Sequence, residues 1–116
     1  PLKVADATFT LADNAMKGWK VYVKSERTEI KKIETSALAL PVGPEQDALL
    51  SKAAERSRTL LNKEGKVAAA YDTYQIQANR LIGVAGDLSN PDASTQAKLT
   101  AIVDPLLAII AELSTP

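Results

Sequence analysis

An all-α, up-and-down helical bundle is the expectation for this chain, and three features lead to it. The first is an apolar seam that steps by three and four without a slip: Phe9, Ala12, Met16, Trp19, Val23, Glu26, Ile30, Ile33, Ala37 and Leu40. Only Glu26 interrupts it. The alternation has a mean period of about 3.5 residues, as in a helix packed lengthwise on other helices. The second is a pair of breaks, Leu40-Pro41-Val42-Gly43-Pro44 and Ser89-Asn90-Pro91-Asp92, each followed by fresh apolar periodicity. The third is the want of strands. Residues 19–24 alternate like one, but nothing else offers a partner, and a lone strand cannot satisfy its backbone.

The first helix is expected over about 10–40, with Thr10 as its cap and Asp13 near its positive end. Gly18 is a weak point within it. A second helix opens at Pro44, where a first helical residue tolerates proline, with Glu45 and Asp47 in its first turn. Its apolar positions include Ala48, Leu49, Leu50, Ala53, Ala54, Leu60 and Leu61.

The stretch from Asn62 to Lys66 admits two readings. A glycine after a lysine-containing turn is a usual helix stop. Yet Leu60, Val67, Ala70 and Tyr74 stay in phase across Gly65, and a helix passes through a glycine for only about 1 kcal/mol. The run Gly65 to Tyr74 resembles the inter-helix turn of a tetratricopeptide repeat, which supports a turn; no second copy follows at that repeat's period. The turn is taken here, so the second segment spans about 44–63 and a third about 66–88. Passing through Gly65 gives three helices, one of them long and central.

Asn90 as cap and Pro91 as opening residue start a last helix over about 91–113. Pro105 within it is expected to kink or restart it. Residues 106–111 are apolar all round, as in a central helix or one buried in an assembly.

A chain of 116 residues suits one helical-bundle domain, here 1–116. With aromatics at 4%, aliphatic side chains and alanine must fill the core. Basic and acidic residues balance at 14 each, so no net field draws the chain to nucleic acid, which is not an expected partner. The charge is unevenly spread, however. Residues 1–66 carry twelve basic and nine acidic side chains, net +3; residues 67–116 carry two and five, net −3. Such asymmetry steers head-to-tail or antiparallel association, or is scatter on a solvated surface. No secretory signal is visible, and Pro1 follows either a removed methionine or a cleaved leader. The longest apolar stretch, about 15 residues from Leu99, is too short to span a bilayer. The lack of cysteine suits either redox compartment.

Histidine and cysteine are both absent. That removes the usual general base, the thiol nucleophile and the common ligands of zinc, haem and copper. The haem histidine of cytochrome b562-like bundles is therefore missing, as is the Trp-x-Gly turn of type VII secretion substrates. The expectation is a protein without enzymatic activity, metal or cofactor.

Two surfaces are candidates for interaction. Lys17, Lys20, Lys24, Arg27 and Lys31 step by three and four one position after the seam, beside Trp19. They form either a docking strip for an acidic partner or long basic stems covering a helical core. Trp19 itself is a core residue or a binding hot spot. On the last helix, Leu106, Ile109, Ile110 and Leu113 exceed what one inward face needs, so they serve self-association or a central position. Glu26 on the seam calls for a basic partner on another helix, or marks register. The leading functional reading is a structural or adaptor protein working by helix-to-helix contact within a larger assembly. The alternative is a small binding or inhibitor module that docks an acidic protein or nucleic acid on the basic strip. A third is a carrier with an apolar cavity between its helices.

Overall fold

Side chains spaced three and four apart gather on one side of a helix, and burying that side is what holds such a helix in place. The computed structural model of the chain describes residues 3–85 and 92–115, and among them there are three helices and no strand. Helix α1 runs Lys3–Leu38, α2 runs Pro44–Ala85 and α3 runs Ala93–Leu113. With 36 and 42 residues, α1 and α2 are ~54 and ~63 Å long at 1.5 Å per residue.

The long central helix replaces the expected turn at Gly65. The reason is register. Gln46, Leu49, Ala53, Arg56, Leu60, Lys63, Val67, Ala70 and Tyr74 step by four and three straight through the glycine, and each is buried or half-buried. A turn at 65 would break that order to recover about 1 kcal/mol. Burying one leucine or valine outweighs that. The glycine serves no close approach: nothing lies within 4 Å of where its Cβ would be.

Two other boundaries differ from expectation, and at Pro105 one of the two expected outcomes, a restart, does not occur. Helix α1 begins at Lys3, so Thr10 lies within it and caps nothing. No glycine or proline stands between residues 3 and 17 to stop it. Helix α3 is capped by Asp92, whose carboxylate accepts from the Thr95 amide at 2.7 Å. The expected cap Asn90, the opening Pro91 and the expected end of the third segment at Leu88 lie outside the described residues. Finally, α3 continues through Pro105 without restarting. Pro105 is exposed, as is Ala101 one turn before it, so water can reach the carbonyl that loses its amide partner.

Contacts cluster into two units. One comprises residues 20–65 and is a helical hairpin of the α1 and α2 segments. Its cross-links pair rising numbers on α1 with falling numbers on α2, which makes it antiparallel: Tyr22 with Lys63, Glu26 with Arg56, and Ala37 with Gln46. Val23, Ile30, Ala37, Ala53 and Leu60 are its buried apolar residues. Its loop is closed by Gln46, whose side-chain amide donates to the carbonyls of Ala37 and Leu40 at 3.1 and 3.2 Å. The Ala37 carbonyl also accepts from the Leu40 amide at 3.1 Å, so Gln46 adds a second donor there and ties the loop residue Leu40 to the start of α2.

The other unit comprises residues 1–19 and 66–116, with one segment from each helix. Leu99, Leu106 and Val67 are its largest fully buried side chains. Phe9 meets Tyr74 edge-on with ring centres 6.5 Å apart, and Tyr71 lies 5.8 Å from Tyr74. Phe9 and Ile102 also pack on the buried pair Leu81 and Leu99.

Candidate interaction surface

Within the hairpin, charged residues sit where a coiled-coil seam ordinarily holds apolar ones. Glu26 takes a seam position on α1; Arg56 and Lys63 take seam positions on α2. The Arg56 guanidinium grips Glu26 with two bonds, Nη2 to Oε1 at 2.8 Å and Nε to Oε2 at 3.0 Å. The side chains keep only 37% and 19% of their surface exposed. A forked pair of this kind fixes direction as well as distance. Hydrogen bonds from Arg56 hold the Glu26 carboxyl below its ordinary range; partial burial opposes this, and the charges of Arg56 and Lys63 reinforce it. The same bonds push Arg56 further up. The expected basic partner of Glu26 is therefore Arg56.

One turn along α1, the Lys63 ammonium donates to the Tyr22 hydroxyl at 2.9 Å. Its nitrogen is 5.4 Å from the ring centre. It sits closer to the hydroxyl than to the ring, so the contact is a hydrogen bond at the rim rather than a face-on cation–π contact. These links set which residue of α1 faces which residue of α2.

The expected basic strip is present as a row of exposed side chains on α1. Lys20, Lys24, Arg27 and Lys31 belong to the hairpin, and Lys17 to the other unit. Arg27 is held by Glu64 on α2, its Nη2 donating to both carboxylate oxygens at 3.1 Å. Lys20, Lys24 and Lys31 make no ion pair among the described residues. Trp19 is 5% exposed and packs in the core rather than on the surface. Leu106 and Ile110 are buried, while Ile109 and Leu113 are half-buried, so most of the apolar excess of α3 faces inward.

The apolar residues of α2 separate into two stripes. Leu49, Ala53 and Leu60 face the seam. Leu50, Ala54 and Leu61 lie on a second stripe that continues through Ser57 to Glu64, again by fours and threes. Leu61 on that stripe is 62% exposed. Because Glu64 ends this stripe and bonds Arg27, the leucine stripe and the cation row flank the same long side of the hairpin. Sequence reasoning found the cation row but missed the leucine stripe, since a plain roll of apolar positions mixes the two stripes of α2.

In the other unit, open clefts lie along α2 and α3. One of about 380 Å³ is lined by Arg80, Leu81, Val84, Lys98 and Ile102. Another of about 350 Å³ is lined by Lys66, Ala70, Tyr74, Pro105 and Ile109. Burial raises the pKa of Tyr74, with Asp13 adding to it. No group of three carboxylates able to hold a metal ion occurs among the described residues, and no described helix is long and apolar enough to cross a membrane.

Fold and surface together describe an all-helical chain with specific polar pairs along a helix seam and an outward row of cations. Comparison with known protein families, with curated proteins and with solved structures finds no match to it.

Proposed function

We propose that this protein is a non-catalytic structural or adaptor element that acts through helix-to-helix contacts as part of a larger assembly. The observation that supports it is the use of chemistry-bearing side chains at the hairpin seam. Glu26, Arg56, Tyr22 and Lys63 bond one another across two helices. Charged residues at seam positions lower stability relative to apolar ones and fix register. A chain that keeps them gains a single, defined pairing, which is what a docking scaffold needs.

A second reading is a binding module that presents the cation row to an acidic partner. Exposed Lys20, Lys24 and Lys31, unpaired among the described residues, favour it. Light scattering across concentrations, at low and at high salt, separates the two. Self-association supports the assembly reading. A monomer at every concentration and salt contradicts its self-assembling form and favours the binding module.

A further inference from the structure

We propose that the cation–leucine side of the hairpin is a docking site for helix α3 of a second copy of this chain, joined head to tail. The inference rests on the assembly reading above and names its partner.

The hairpin side has two parallel components. On α1, Lys20, Lys24, Arg27 and Lys31 form a cationic edge. On α2, Leu50, Ala54 and Leu61 form an apolar edge, all three exposed. The Arg27–Glu64 pair ties the two edges to one side. Leucines left in water beside a row of unpaired lysines suit a partner helix of small apolar residues and negative charge.

The outward face of α3 has that composition. Ala97, Ala101, Asp104, Ala108 and Ala111 step by four and three, all of them exposed, with Glu112 alongside near the C-terminal end and Lys98 on the same flank near the N-terminal end, so the acids stand in the C-terminal half of the face. Alanines let a second helix approach closely, and protruding leucines fill the space they leave. The acids of this face meet the lysines of the hairpin. The charge balance of the two units agrees: residues 20–65 carry nine basic and seven acidic side chains, net +2, and the rest carry five and seven, net −2. Like units repel and unlike units attract, which selects hairpin against α3 over either surface against itself. A contact between two different surfaces is heterologous, so it closes into a ring or continues as an open chain.

The test uses the full chain in sedimentation velocity, with two charge reversals at exposed positions. The first is Lys20→Glu, Lys24→Glu and Lys31→Glu together. The second is Asp104→Lys with Glu112→Lys. The wild type is expected to associate at low salt and to weaken at high salt. Each variant alone should associate about tenfold more weakly or worse, because reversing either side turns attraction between the lysines and the two acids Asp104 and Glu112 into repulsion. Mixing the two variants, or combining them in one chain, should restore association, a result that misfolding cannot produce. Leu61→Gln should weaken association without changing the salt dependence. An oligomer that persists at high salt and in both variants overturns this contact and leaves the assembly reading standing. A wild-type monomer at low salt overturns this contact together with the self-assembling form of that reading. A monomer that instead binds a DNA duplex through the three lysines overturns the second copy as occupant.

Discussion

At the scale of the residue, the Glu26–Arg56 pair decides most. It is forked, mostly screened from water, and lies on the seam. Replacing Glu26 by Gln should cost about 1–2 kcal/mol in urea unfolding, because a partly buried guanidinium loses its charged acceptor while water still reaches it. Replacing both, Glu26→Leu with Arg56→Met, should return stability to within about 1 kcal/mol of the wild type or above it. That variant should also lose uniqueness of pairing, visible as broadened amide resonances in the hairpin. The pH dependence has a definite sign. The folded-state pKa of Glu26 lies below that of the unfolded chain. Its contribution is therefore complete above the ordinary glutamate range and is lost as pH falls through the folded value. Acidification from neutral should lower stability less in Glu26→Gln than in the wild type. An equal fall in both would show that the pair contributes nothing. The sequence displayed Glu26 as an anomaly that needed a cation. It did not display which one, since Arg56, Arg58 and Lys63 all lie within reach of a helix whose register was unknown.

At the scale of the element, each helix has a feature that propensity alone would misjudge. Gly65 lies inside α2 and is exposed, with free space where a Cβ would stand. Gly65→Ala should therefore raise stability by about 0.5–1 kcal/mol, read as a higher urea midpoint. A loss would mean that the glycine holds a turn. On α3, Leu106 is 1% exposed while Ile109 is half-buried. Leu106→Ala should cost about 2–5 kcal/mol, and Ile109→Ala distinctly less. The reverse order would place the inward face of α3 elsewhere. The sequence revealed the α1 seam in full, because its side chains there are almost all apolar. It concealed the α2 seam, because Gln46, Arg56 and Lys63 occupy seam positions while Leu50 and Leu61 sit off them. Hydrophobicity marks a buried stripe only where polar residues have no partner to bring them in.

At the scale of the whole molecule, the chain divides its charge between two units and its apolar surface between inward seams and outward stripes. The break at Pro41–Pro44 was legible because proline and glycine act locally, whereas the one expected at Asn90 and Pro91 lies outside the described residues. The proposed docking side was half legible: the lysine row stood out by spacing, whereas its leucine companions required knowing which side of α2 turns toward α1. The fold rests on α2 being one helix whose seam runs unbroken past Gly65, since that register carries the Ala53 and Leu60 seam on in phase to Val67, Ala70 and Tyr74. Amide hydrogen exchange across residues 58–72 tests it most directly. A continuous helix predicts slow exchange from Asn62 to Ala69, with protection matching that of the turns on either side. Fast exchange confined to residues 63–67, between two protected stretches, would show a turn there and contradict the account.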